Sequence, residues 1–373
     1  MKKLISVLFA FVLLSGLSVL AKENKTTYQF EVLSTTDMHG RSTMRNVSTG
    51  KPEINSMEKV STVVQKERKK FGDKILLIDN GDLLQGTLVS QYALTVKKEL
   101  ENPMVTALKD IKYDVWVMGN HEYNYTPEQR ETQVKYALNS GIDVLGGNIV
   151  LKSDGVNMYG KPAKKGQSFY NPYHIKTFDF GNGKKVRVAV IGLGNANNAN
   201  WDSADNYPNM QFMSLDNPQG LLEKEINKYA KEIKEKNLAD IIIVSAHSGK
   251  STDDGVQTDK FMLESQAVSG VKNAKCIDLL IYGHDHQPNV EKLKTADGKT
   301  IYIIDGGCVS VTKNVFTVDF DKNGKPVCKN VSAELLYLKN YKDDKKLGKK
   351  LQHWYDETYA WTSSPLGTFA NGW

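Results

Sequence analysis

Short apolar runs rich in Val and Ile alternate with stretches of helical period along most of this chain, and that alternation constrains its fold more than any other feature. It is the pattern of an α/β, layered-sheet protein. Strands are predicted at Phe30–Thr35, Ile75–Asp79, Val115–Met118, Val186–Gly192, Ile241–Ala246, Ile277–Tyr282, Ile301–Asp305 and Val311–Phe320. Helices are predicted over Met57–Lys70, Thr95–Lys109, Pro127–Ser140 and Pro218–Lys236. The third carries its own start signal, with Thr126 as N-cap, Pro127 at the first helical position and Gln129 completing a capping box. Residues 148–169, rich in Gly and Lys, read as an exposed excursion, and Asn195–Asn206 as a loop near a site. A further helical segment, Asp343–Thr358, precedes Ser364-Pro365-Leu366-Gly367-Thr368 and the end at Trp373.

With 373 residues, 40% hydrophobic and 25% charged, the chain can bury a sizeable core. Its first residues read as an export signal: Lys2 and Lys3 precede the apolar run Leu4–Leu20, and Val19-Leu20-Ala21 offers a cleavage site after Ala21. An uncleaved anchor is the alternative, and either way the body is expected outside the cytoplasm, periplasmic or extracellular. Apart from that run no stretch is apolar for long enough to span a bilayer, so no stable membrane anchor is expected once the signal is removed. The formal charge of +6 falls to +4 without those two lysines. The remaining lysines are scattered along predicted helices without interleaved aromatics, which argues for solvated faces and against a nucleic-acid polymer as partner. Cys276, Cys308 and Cys328 are too few for a disulfide framework; one bridge at most is possible, and Cys276, just before an apolar strand, is expected to be a buried thiol.

The polar outliers carry the chemistry. Asp37-Met38-His39 follows the first predicted strand, Gly81-Asp82 the second, Gly119-Asn120-His121 the third, Ala246-His247-Ser248 a later one, and Gly283-His284-Asp285-His286 another. Open α/β sheets put their ligands at these strand ends. Taken singly, each His is an ordinary core group and each Gly-Asp or Gly-Asn an ordinary turn. Five of the seven histidines falling in these clusters reverses that reading, and His174 and His353 are left as structural. Imidazoles and carboxylates together suit two divalent ions, Zn, Mn, Fe or Co, with Asp82 as the natural bridge. Two such ions can activate a shared water, as a hydroxide between them, and clamp a phosphoryl oxygen, so hydrolysis of a phosphate ester is the expected reaction.

The blocks Asp37-Met38-His39-Gly40, Gly81-Asp82-Leu83-Leu84-Gln85-Gly86, Gly119-Asn120-His121-Glu122, Ala246-His247-Ser248-Gly249 and Gly283-His284-Asp285-His286 resemble those of the calcineurin-like metallophosphoesterases. Within that family the chain is similar to the group of 5′-nucleotidases and 2′,3′-cyclic-nucleotide 2′-phosphodiesterases. The resemblance implies a four-layer αββα sandwich with Asp37, His39, Asp82 and His286 around one metal and Asp82, Asn120, His247 and His284 around the other. It implies that His121 faces the substrate rather than a metal, stabilising the phosphoryl group or protonating the departing oxygen. The 5′-nucleotidases of the group carry an Asp three residues after that His, where this chain has Asn124; Asn supplies no charge to the imidazole, and the form favours the cyclic-nucleotide branch. The resemblance further implies residues 1–21 as signal peptide, 27–340 as catalytic domain, and 341–373 as a linker helix and the start of a truncated C-terminal, nucleotide-binding domain. The expected substrate is a nucleotide, most readily a 2′,3′-cyclic one opened to the 3′-nucleotide. A 5′-nucleotidase or nucleotide-sugar hydrolase is the alternative, and a non-catalytic surface binder that keeps the fold is a third reading. Oligomeric state stays open.

Overall fold

The structure, a computed structural model, describes residues 27–212, 221–250 and 264–364. The expected signal segment, the start of the helix expected from Pro218, and residues 365–373, where the truncated C-terminal domain is expected to begin, lie outside those residues. In chain order the elements are β1 (Tyr28–Thr35), α1 (Met57–Phe71), β2 (Ile75–Asp79), α2 (Leu88–Thr95), α3 (Pro103–Ile111), β3 (Val115–Val117), α4 (Pro127–Asn139) and β4 (Asp143–Leu145). The short strands β5 (Ile149–Leu151), β6 (Gly155–Val156) and β7 (Pro162–Ala163) follow, then β8 (Tyr173–Asp179), β9 (Lys185–Leu193) and β10 (Met210–Phe212). The rest comprises α5 (Leu221–Glu235), β11 (Ile241–Ala246), α6 (Ala267–Lys272), β12 (Leu279–Tyr282), β13 (Asn289–Lys294), β14 (Thr300–Asp305), β15 (Ser310–Phe320), β16 (Pro326–Tyr337) and α7 (Lys345–Thr362).

Two six-stranded sheets form the body, ordered β16-β15-β1-β2-β3-β4 and β13-β14-β12-β11-β9-β8. Within the first, β1 to β4 run parallel; within the second, β9, β11, β12 and β14 do. The parallel strands are apolar on both faces because successive side chains enter different cores. Leu76 and Ile78 of β2, Val115 and Val117 of β3, Ile241 and Ile243 of β11, and Leu279 and Ile281 of β12 meet in one core between the sheets. Their alternates Ile75, Leu77 and Trp116 pack under helices α1, α3, α4 and α7, while Ile242, Val244 and Leu280 pack under α5 and α6. Helix, sheet, sheet, helix is the four-layer order expected.

Three local expectations need correction. The helix expected over Thr95–Lys109 forms only in its second half: α2 already ends at Thr95, residues 96–102 are not helical, and α3 starts at Pro103. Pro103 disfavours a helical residue before it, so Asn102 holds an extended backbone and its side chain accepts from Met104 N at 2.8 Å. The stretch 148–169 is not simply exposed. Ile149, Val150 and Leu151 are buried in β5, which pairs with β10, and Phe169 and Tyr170 are buried too, with Phe169 N donating to Ile149 O at 2.7 Å alongside β5; three-residue strands are too short to show a period. Cys276 is exposed, on a left-handed turn at φ 64°, and all three cysteines are free. The capping box at Thr126 and Gln129 forms as expected. His174 pairs with Asp143 at 2.9 Å and His353 is exposed on α7, both outside the clusters at the strand ends. That helix buries Leu347, Leu351 and Trp354 in the same core as α1.

Candidate metal centre

The carboxyl ends of β1, β2 and β3 in one sheet and of β11 and β12 in the other converge, and the chain turns sharply as it leaves them. Asp37 (φ 56°), His39 (47°), Asp82 (52°), His284 (83°) and His286 (56°) all lie in the left-handed region, five of the nine described non-glycine residues that do. Each such residue costs of order 1–3 kcal/mol, a strain concentrated here at the strand ends. Asp, Asn and His tolerate that region better than other side chains, so the residue types that bind cations also suit the turns that aim them.

All seven predicted ligands come together. Asp37, His39 and His286 offer donor atoms within 4.8 Å of one another, and so do Asp82, His247 and His284. His39 Nε2 and His286 Nε2 face each other at 3.0 Å, and His286 Nε2 is 3.3 Å from Asp37 Oδ1. In the second group His247 Nε2 is 3.1 Å from Asp82 Oδ2 and 3.1 Å from Asn120 Oδ1, which lies 2.9 Å from His284 Nδ1. Asp82 Oδ2 reaches both groups, since His39 Nε2 is 3.9 Å away. Asp37 Oδ1 is buried, and among the described residues it meets only the imidazoles of His286 and His247, with no conventional hydrogen bond. A buried carboxylate oxygen faced only by convergent imidazole nitrogens fits a bound cation on each side of Asp82.

The electrostatics fit as well. Burial works against charge on Asp82, but His247, His121 and His39 around it hold its carboxyl far below the usual range. Burial likewise disfavours a charged His247, yet Asp82 and Asp37 push its pKa up to about 10. His284 goes the other way, down to about 4, through burial and the neighbouring His247. The two aspartates thus form a negative centre that a proton on His247 answers in the metal-free protein, and a divalent ion would replace that proton.

Several residues that hold this geometry had no assigned role in the sequence reading. Glu122 is completely buried, and its carboxylate accepts from Leu83 N (2.8 Å), Leu84 N (3.1 Å), Gly119 N (2.8 Å) and Asp82 N (3.0 Å), tying the β2 and β3 turns together. Burial and the Asp82 charge push its pKa up, and the amides oppose that by binding the ionised form. The Asn80 carbonyl accepts from His247 Nδ1 at 2.7 Å, leaving Nε2 for the centre, while the Asn80 side chain bonds Ser245 and Ala246 across the sheets. Gly119 and Gly283 leave no room for a side chain: a Cβ would run into Asp82 at the first and Thr36 at the second. Adjacency within the strand-end blocks was the available signal for Glu122 and Asn80.

His121 stands beside the centre. Its backbone N–H donates to Asp82 Oδ1 at 2.8 Å and its ring lies 5.3 Å from that of His39. Its Nδ1 is 2.6 Å from Asn124 Oδ1, and Asn124 Nδ2 donates to Asp202 Oδ1 at 2.8 Å. The loop read from sequence as lying near a site therefore does so; its Trp201, 42% exposed, stacks on His284 at 5.4 Å and 24°.

Comparison with known proteins bears on the family and the fold. The family model for calcineurin-like phosphoesterases matches residues 30–288. The trifunctional nucleotide phosphoesterase protein YfkN of Bacillus subtilis is 28% identical over 275 residues, covering 68% of this chain and 16% of the relative. A 2′,3′-cyclic-nucleotide 2′-phosphodiesterase/3′-nucleotidase of Haemophilus influenzae is 25% identical, covering 96% of this chain and 55% of the relative, so the chain spans about half of that relative's length and far less of YfkN's. The crystal structure of YfkN superposes with a TM-score of 0.73 at 21% identity, over 91% of this chain and all of that one, which shows the shared fold. With the family match covering well over half its length, the chain belongs to the calcineurin-like phosphoesterases.

Proposed function

We propose that this protein is an exported, metal-dependent phosphoesterase of nucleotides, which opens 2′,3′-cyclic nucleotides to 3′-nucleotides. The convergence of Asp37, His39 and His286 with Asp82, His247 and His284 around a shared carboxylate carries the reading. In it Asp37, His39, Asp82 and His286 hold one divalent ion, and Asp82, Asn120, His247 and His284 the other. Such a pair supplies Lewis-acid polarisation of phosphoryl oxygens and lowers the pKa of water.

The chain's own residues do the rest. Asp82, pinned by the His121 amide on one oxygen, keeps the other for the centre. Glu122 and Asn80 hold the turns so that no ligand has to reorganise when substrate arrives. His121, with Nδ1 engaged by Asn124, has Nε2 left to protonate the departing ribose oxygen. Trp201 offers an aromatic face beside the centre on which a nucleobase can stack, a contact worth about 1–3 kcal/mol.

Asn124 in place of a charged partner, and the relative named for cyclic-nucleotide hydrolysis, favour the cyclic substrate; the apolar segment Leu4–Leu20 behind Lys2 and Lys3 favours export. The test loads the purified protein with Mn or Zn and compares turnover of 2′,3′-cyclic AMP with that of 5′-AMP. Faster opening of the cyclic ester, abolished by Asp82→Ala, is expected. Exclusive use of 5′-AMP would transfer the protein to the 5′-nucleotidases, and no metal-dependent hydrolysis of either would leave a binder.

A further inference from the structure

We propose that Asp202 is a positioning residue for His121, acting through the amide of Asn124; the inference rests on the reading of His121 as the proton donor to the leaving oxygen. The three side chains form one line: His121 Nδ1 at 2.6 Å from Asn124 Oδ1, and Asn124 Nδ2 at 2.8 Å from Asp202 Oδ1. An amide has one donating and one accepting end, and an ionised carboxylate can only accept. Asp202 therefore takes the NH2 end of Asn124 and turns its carbonyl toward the imidazole. A carbonyl only accepts, so Nδ1 must carry a hydrogen, and Nε2 is the nitrogen that exchanges a proton with substrate. During reaction the proton on Nε2 moves to the departing oxygen as its bond to phosphorus breaks, and Nδ1 keeps its own.

The loop that brings Asp202 is fastened to the His121 turn by more than this line. Asn206 Nδ2 donates to the Tyr123 carbonyl at 2.9 Å, and Arg130, buried on α4, donates to the Asn206 carbonyl at 2.6 Å. Tyr207 Oη donates to the Asp202 carbonyl at 3.2 Å, while the Asp202 N–H bonds Asn198 O at 3.2 Å. Asp202 is thus held at a fixed distance from Asn124 from both sides. A charged partner missing three residues after His121 is supplied from 78 residues further on than Asn124, at one remove.

The test uses the full protein loaded with Mn and two classes of ester: the nucleotide ester that the wild type turns over, whose leaving group is a ribose alkoxide, and bis(4-nitrophenyl) phosphate, whose phenolate leaves without a proton. Asp202→Ala should lower kcat on the nucleotide about 10- to 100-fold with KM within about twofold, part of the usual contribution of a proton donor, while the aryl ester loses less than about threefold. His121→Ala should show the same split, larger. The exchange variant Asn124→Asp with Asp202→Asn puts the carboxylate on His121 and the amide behind it, and should recover most of the nucleotide activity. It also carries the test if Asp202→Ala fails to fold. Equal losses on both esters, a loss confined to KM, or no loss would overturn the proposal and leave Asp202 as a loop fastener. A wild type inactive on every ester overturns the phosphoesterase reading instead, and a His121→Ala variant without the split overturns His121 as donor.

Discussion

Replacing Glu122 by Gln changes one atom and should dismantle the centre from behind. Each carboxylate oxygen accepts two backbone N–H groups, Leu83 and Leu84 on Oε1, Gly119 and Asp82 on Oε2. A Gln can satisfy only one of those pairs, and its NH2 faces the other donor to donor. Hydrogen bonds to a charged acceptor are worth about 1.5–3 kcal/mol each, so losing two costs about 3–6 kcal/mol, before any relief from the turns moving apart. That relief would displace Asp82 and Asn120, and comparable outer-shell losses weaken metal affinity by about 10- to 100-fold. Thermal denaturation of the metal-free protein reads the first effect, and metal retained after dialysis against a graded chelator reads the second. A destabilisation below about 1 kcal/mol with unchanged metal retention would mean that the carboxyl already carries a proton in the native state, and the four-amide argument would be refuted.

Gly283→Ala drives a Cβ into Thr36 Oγ1 and to 2.8 Å from Asp37 Oδ2. Metal at the Asp37 group should be lost while the fold, read by circular dichroism, persists; full metal content would contradict the packing. Far from the centre, Glu31 of β1 is wholly buried, and burial together with Glu67 pushes its pKa up to about 8. Between an unfolded value near 4.5 and that figure the unfolded chain releases a proton that the folded chain keeps, so stability falls as pH rises through this window. Glu31→Gln should therefore match the wild type in melting temperature near pH 4.5 and exceed it near pH 8; parallel melting curves across that range would rule the argument out.

How much of this was legible in the sequence depends on the range of the interaction. Ile75–Asp79 and Ile241–Ala246 were readable to the residue because strands apolar on both faces leave an unbroken run. Edge strands were not: β13 and β16 are partly exposed and mix Lys, Glu and Asn with their apolar positions. The ligands were readable because His and Asp at a strand end have few other uses in such number. Glu122 sat in the same block, but its role lies in accepting four backbone amides, and nothing in residue type announces that. Asp202 needed the third dimension, since the partner of Asn124 is fixed by how a long loop folds back over the His121 turn.

Both ligand groups draw on both sheets. Asp37 and His39 follow β1 of the first sheet and are completed by His286 after β12 of the second; Asp82 follows β2 and is completed by His247 and His284 after β11 and β12. Among the described residues, neither half of the fold contains such a group alone. The core between the sheets brings the two half-sites into register, and an ion bound at each ties the sheets together in return. Loading should therefore stabilise the whole protein rather than one loop, by about 2.7 kcal/mol for an ion at a hundred times its Kd. The ion must displace the proton that the Asp82 and Asp37 carboxylates favour on His247, raising its pKa against burial, so the gain in melting temperature on adding Mn should shrink as pH falls. A gain independent of pH would mean that metal and proton do not compete for Asp82 and His247. The coupling between sheet packing and ligand charge would then have to be abandoned.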